Sequence, residues 1–170
     1  NDLKDMSVAF GHPVEENDLL KRRANGYIST HYVCCADRFP NNFTFSPPAE
    51  GVFIGWYTMA ANFDGFLRWA YNSWVENPLQ DSRFRTWPAG DTYIVYPDNR
   101  SSIRFESLRE GIQDAEKIRI LREDFSNKNM FVELDYLNKI VAKFNVNTKP
   151  EHLEAMLKDA KNTLNILAKK

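Results

Sequence analysis

A strand–helix–strand spacing between residues 27 and 74 constrains the fold more than any other feature of the sequence. Tyr27 to Cys35 (YISTHYVCC) is rich in β-branched and aromatic residues and reads as a buried strand. The segment from Asp37 to Pro48 is punctuated by Pro40, Asn41, Asn42, Pro47 and Pro48 and reads as a loop. Residues 49–62 read as a helix with Val52, Phe53, Trp56 and Ala60 on one face. Gly65 opens a second strand, Phe66 to Trp74 (FLRWAYNSW). Two strands joined by a helix in this way are parallel, with a right-handed crossover, so the class is α/β. The 170 residues hold one core. They are too few for a complete (β/α)8 barrel, which takes about 250.

The flanking segments are more local. Residues 1–17 read as loop, and a short helix over 18–24 stops at Asn25-Gly26. A polar loop runs from Glu76 to Gly90 and contains Arg83, Arg85 and Trp87. Residues 92–96 and 102–105 read as a β-hairpin around Pro97-Asp98-Asn99-Arg100. Ser107 with Glu110 fits a capping box opening a helix to about Glu123, and Thr148 with Glu151 fits another. Residues 129–144 and the helix after Thr148 carry apolar residues at helical spacing, which predicts an antiparallel helix pair.

Composition narrows the function. No apolar run approaches the roughly 20 residues that span a bilayer, and a net charge of -1 gives no basic face for nucleic acid. Cys34 and Cys35 are adjacent, so a bond between them would close no useful loop. His12, His31 and His152 have no metal-ligand spacing, and neither a phosphate loop nor a serine-nucleophile motif occurs, so no metal or cofactor is expected. The aromatic content is the outlying number, 14%, with all four Trp between residues 56 and 87.

In parallel sheets ligands bind beyond the carboxyl ends of the strands. That places Cys34 to Asp37, and Tyr71 to Trp74, near a site. Indole and phenol rings beside Asn, Arg and Asp suit sugars, whose C–H faces stack while their hydroxyls need hydrogen-bonding partners. Alternation of Trp69 and Tyr71 with Ala70 and Asn72 equally fits a strand with one face in the core. Asp64 reads as a turn residue and Asp81 as an ion-pair partner of the neighbouring arginines.

Within residues 50–121, the motifs GWY, DGFLRWAYNSW, WPAGDTYIVYP, SSIRFE and LREGIQDAEK resemble the C-terminal part of the glycoside hydrolase family 123 catalytic domain, also called domain of unknown function 4091. The resemblance implies a partial (β/α)8 barrel, made of the last βα units plus a β-hairpin and followed by the C-terminal helix pair. Residues 1–125 would be the barrel portion and 126–170 a helical extension packed on it. It implies hydrolysis of β-N-acetylgalactosaminides. The substrate acetamido group would attack the anomeric carbon, oriented by an Asp, while an adjacent Glu serves as acid and base. No Asp-Glu dipeptide occurs here, and Glu123-Asp124 has the reverse order.

The expectation is therefore a C-terminal fragment whose catalytic pair lies in an upstream half, leaving this chain inactive alone. Tyr71, Asn72 and Trp74 would stand at the barrel mouth, with Arg68 and Trp69 deeper and Asp91 and Tyr93 beyond the long loop. Expected partners are an N-acetylhexosamine glycan, that upstream half, and a second copy through exposed sheet edges. The resemblance points to an extracytoplasmic place. Non-catalytic carbohydrate binding and a self-associating structural role are the alternative readings.

Overall fold

The computed structural model describes residues 3–84 and 86–170; Asn1, Asp2 and Arg85 of the expected polar loop lie outside them. Three strands, β1 (Asp5–Ala9), β2 (Ile28–Tyr32) and β3 (Gly65–Phe66), form a parallel sheet in sequence order. Helices α1 (Glu16–Ala24) and α2 (Pro48–Ala60) connect them. Then come α3 (Ile103–Asn127), α4 (Phe131–Val141), a 3-10 turn at Pro150–His152 and α5 (Leu153–Leu167).

One residue parity of the sheet meets the helices. Met6, Val8 and Phe10 join an apolar cluster with Phe53, Trp56 and Ile118, which continues through Leu137 and Phe144 to Leu157 and Leu164. Val33 and Phe66 join a smaller one with Ile54, Ile94 and Leu108. The opposite parity, including Ser7, Ala9, Thr30, Tyr32 and Gly65, belongs to neither cluster. All five helices thus lean on one side of the sheet or on one another. The antiparallel pair of α4 and α5 is closed at one end by Lys170 reaching Glu133 at 2.9 Å.

Several sequence expectations change, each for a physical reason. Residues 5–9 form a strand where a loop is expected, because β2 supplies a complete parallel partner from Ile28 to Tyr32. The strand expected over 66–74 stops at Phe66, since β2 ends at Tyr32 and offers nothing beyond it. Asn72 instead bridges antiparallel to Tyr93. The 92–105 hairpin is not formed. Tyr96 and Arg100 make an isolated bridge, and residues 103–105 are the first turn of α3. Ser102 caps that helix by accepting from the Phe105 amide at 3.1 Å. Ser107 is therefore internal, and its hydroxyl donates to the Ile103 carbonyl rather than opening a capping box. Thr148 likewise caps nothing: it donates to the Lys143 carbonyl and accepts from the Asn145 amide.

Two glycines set the crossing of α2 and α3. A Cβ on Gly55 would lie 2.0 Å from the Gly111 carbonyl oxygen, and one on Gly111 would lie 2.6 Å from that of Val52. The two helices touch backbone to backbone. At ordinary helix positions Gly→Ala gains about 1 kcal/mol of propensity. Here the clash is with main chain, which cannot rotate away, and overpacking of this kind costs about 1–3 kcal/mol. We expect Gly55→Ala to lose about 1 kcal/mol net, read as a lower urea midpoint. An unchanged or raised midpoint would show that the crossing can widen freely.

His31 on β2 is fully buried against Tyr57, Phe63 and Phe66, with ring centroids 4.9, 5.4 and 5.3 Å away. The Thr58 hydroxyl donates its proton to the Ile54 carbonyl at 2.8 Å. It must then accept from His31 Nε2 at 2.9 Å, which fixes the neutral tautomer with its proton on Nε2. Burial pushes the His31 pKa from 6.5 down to about 4. The unfolded chain therefore binds a proton that the native state refuses. His31's contribution is complete above pH 6.5 and is lost as pH falls toward about 4. Between those limits the native protein should lose up to roughly 3 kcal/mol relative to His31→Leu, measured as converging urea midpoints of the two proteins.

Candidate functional site

The segments leaving the carboxyl ends of β2 and β3 are stitched into one surface. The Thr44 amide donates to the Ala89 carbonyl at 2.9 Å, and the Gly90 amide to that of Ser82 at 3.2 Å. Arg104, in the first turn of α3, is the centre of this seam. Its Nη1 faces the carbonyls of Asn42 (3.0 Å), Gly90 (2.7 Å) and Tyr93 (2.5 Å), while its guanidinium lies 5.1 Å from the Tyr93 ring. One side chain thus ties both βα segments to the helix that follows them.

Beside it, the segment after β3 alternates without being a strand. Arg68 turns inward, and Trp69 and Tyr71 turn outward with 46% and 48% exposure. Arg68 donates to the Asp91 carbonyl, and its Nη1 stands 3.9 Å from the Asp91 carboxylate. Trp69 Nε1 donates to the same carboxylate at 3.4 Å, and its ring meets Trp87 edge-on at 6.2 Å. Tyr71 packs edge-on against Phe105, and Trp74, 43% exposed, donates its indole proton to the Val95 carbonyl at 2.8 Å. Asn72 is exposed between them. The indole nitrogens of Trp69 and Trp74 are satisfied internally, leaving ring faces and edges toward solvent. Such a surface stacks on a ligand rather than gripping it by indole hydrogen bonds.

The six expected site residues therefore fall into two layers. Trp69, Tyr71, Asn72 and Trp74 are each exposed, while the side chains of Arg68 and Asp91 are buried. Tyr93 is fully buried under Arg104. Burial lowers Arg68 to about 10, helped by the charge of Arg104 and opposed by Asp91, so it stays charged at neutral pH. Burial raises Asp91, and Arg68 and Trp69 pull it back. Buried polar side chains normally find partners. Among the described residues, atoms of Asn42, Arg68, Asp91, Tyr93 and Arg104 have none, and all lie in this one region.

Sequence reasoning passed over Asn41, Asn42, Glu50 and Arg104. Asn41 Nδ2 bridges the Cys34 and Asp37 carbonyls at 2.8 Å each, holding the chain as it leaves β2. Its amide donates to Glu50 Oε2 at 2.7 Å. A signal for Glu50 was present: it is the single charge in the apolar stretch 49–62. Cys34 and Cys35 are both free thiols. Asp81 is paired with Arg83 at 2.6 Å and held down at about 2, so it cannot serve as a proton donor near neutrality. Asp64 accepts from the Ser29 amide and from Arg23, a structural tie at the entry to β3. Among the described residues no group of His, Cys, Asp and Glu is placed to hold a metal ion, and no helix is long and apolar enough to cross a membrane.

Two surface clefts lie away from Trp69, Tyr71, Asn72 and Trp74. One of about 570 Å³ runs between β1 and α1, and one of about 340 Å³ lies between β3, α2 and α3.

A parallel sheet with an aromatic, loop-borne face beyond its strand ends is the layout of an α/β ligand-binding or catalytic domain. Residues 1–121 match the sequence model of the glycoside hydrolase 123 catalytic domain, and the chain belongs to that family. A solved family 123 glycoside hydrolase from Clostridium perfringens, described for its hydrolysis of glycolipid glycans, is 28% identical and superposes with a TM-score of 0.78. The superposition covers 98% of this chain and 32% of that one, so this chain spans about a third of the relative's length. Comparison with curated proteins finds no match.

Burial raises Glu50 to about 7, partly offset by the Asn41 amide. Here the native state holds a proton that the unfolded chain releases near 4.5. The resulting stability is complete below that value and is lost as pH rises through about 7. This runs opposite to the His31 effect over nearly the same window, so the two contributions offset each other. Glu50→Gln keeps an acceptor for Asn41 and removes the opposing slope. Its urea midpoint should exceed the parent's above pH 7 and fall more steeply than the parent's on acidification.

Proposed function

We propose that this chain is the C-terminal portion of a retaining glycosidase acting on β-N-acetylgalactosaminides, and that it supplies one wall of the sugar site. The observation that carries this reading is the exposed face of Trp69, Tyr71, Asn72 and Trp74 beyond the parallel strands of a family 123 chain. Aromatic rings stack on the apolar face of a pyranose while the Asn72 amide serves its hydroxyls. Arg68 and Asp91 hold the face from beneath, and Arg104 fixes the segments that bear it.

The fold reading is a partial (β/α)8 barrel. It is supported by three parallel strands in sequence order with helices on one side only. Residues 1–125 carry the barrel portion and 126–170 pack on it. In the substrate-assisted reaction the acetamido oxygen attacks C1 as the leaving oxygen is protonated, and water later opens the ring intermediate. The Asp-Glu pair for those steps is not in this sequence. It comes from an upstream half, without which this chain binds but does not turn over. That same absence favours a second reading, a carbohydrate-binding domain with no chemistry.

Tryptophan fluorescence titrated with N-acetylgalactosamine, with glucose as control, tests the proposal. A saturable change for the first sugar alone is expected. Trp69→Ala should weaken it roughly tenfold, the order of one lost stacking contact. No change with a folded chain, or the same change with glucose, would sink the assigned wall.

A further inference from the structure

The seam beyond the strand ends buries more positive charge than negative. The Arg68 side chain is 7% exposed and Arg104 is 4% exposed. They hold the carbonyls of consecutive residues, Arg104 that of Gly90 at 2.7 Å and Arg68 that of Asp91. The two guanidinium groups are thus anchored about 3.8 Å apart along the chain. Like charges this close and this far from water repel, and the charge of Arg104 helps to lower Arg68.

Asp91 is the one carboxylate paired with either of them among the described residues. Its Oδ1 stands 3.9 Å from Arg68 Nη1 and also takes the Trp69 indole proton at 3.4 Å. Glu50, the other acid of the seam, accepts from the Asn41 amide, and burial raises it to about 7, so it is only half ionised at neutrality. The rings of Tyr93 and Tyr96 lie 5.1 and 6.0 Å from the Arg104 guanidinium and carry no formal charge near neutral pH. Donors are left over as well. Arg68 Nε and Nη1 and Arg104 Nη2 are buried without hydrogen-bond partners among the described residues. A guanidinium does not escape by losing its proton, and a buried cation without a counter-charge is costly.

We propose that a small inorganic anion of chloride size binds between the guanidinium groups of Arg68 and Arg104. Its size follows from burial. This chain alone covers the left-over donors, so neither a glycan carboxylate nor another protein segment touches them. Its charge follows from the count, since a water molecule would satisfy donors and leave the surplus cation uncompensated. Bound there, the anion completes the clamp that Arg104 makes on Asn42, Gly90 and Tyr93.

Urea midpoints of the chain in sodium chloride and in sodium gluconate, at equal ionic strength, test this. Screening is the same in both salts, and gluconate carries its charge on a sugar acid too large for the site. The midpoint should be higher in chloride, by a shift that grows with the logarithm of chloride concentration. Arg68→Gln, which removes one of the two cations, should abolish that difference. Arg109→Gln, which removes an exposed cation of α3 paired with Glu106, should keep it. In crystals of the parent chain grown with bromide, anomalous scattering should mark the ion between Arg68 and Arg104. Equal midpoints of the parent chain in the two salts, a difference that survives Arg68→Gln, or no bromide at the pair overturns the proposal. Where Arg68→Gln does not fold, the bromide position decides. No sugar is added in either measurement, so this proposal and the sugar wall fail separately.

Discussion

The close approach of Gly55 and Gly111 is the constraint on which the rest of the structure depends. Backbone contact between α2 and α3 leaves no freedom in how far apart or at what angle the two helices sit. Their first turns carry Glu50 and Arg104, the two ionisable groups that hold the segments after β2 and β3. A widened crossing would move Arg104 relative to Asn42 and loosen its hold on the segments after β2 and β3. The same helices carry Phe53, Trp56 and Ile118 into the main core, which α4 and α5 complete. Stability and site geometry therefore share one contact.

The candidate site is unusual in its electrostatics. Arg68, Asp91, Arg104 and Glu50 are all removed from water, and each shifts toward its neutral form. Charges so placed are expensive unless they are paired. Here the pairing is incomplete, because Arg68 and Arg104 spend their donors mainly on backbone carbonyls. Guanidinium groups that bind carbonyls act as clamps on loops that have no ladder of their own. The clamp substitutes for the secondary structure that residues 67–101 mostly lack, and it keeps four aromatic or amide side chains facing outward in fixed order.

The family assignment and the proposed function meet on the sheet. A parallel sheet is normally covered on both faces and closed or protected at its edges. This one presents one helical side, one side whose residues join neither core cluster, and two edges flanked by clefts.

Much of this was legible in the sequence because it rests on local rules. The apolar stretch 49–62, the YISTHYVCC strand and the leucine spacing after residue 150 report their own periodicity. The motifs around Trp69 and Trp87 led to the family and to the residues of the exposed face. Other features needed the tertiary structure, since their causes lie far away in the chain. Residues 5–9 are a strand only because β2 lies beside them, and the run 66–74 stops being one because β2 ends. Ser102, not Ser107, starts α3 because Ser102 also donates to the Ile94 carbonyl, fixing where the helix begins. The division of the site into an exposed face and a buried Arg68–Asp91 support followed from residues 68 and 91 meeting across 23 positions. Periodicity and motifs belong to neighbours in sequence; pairing, burial and charge partners are set by neighbours in space.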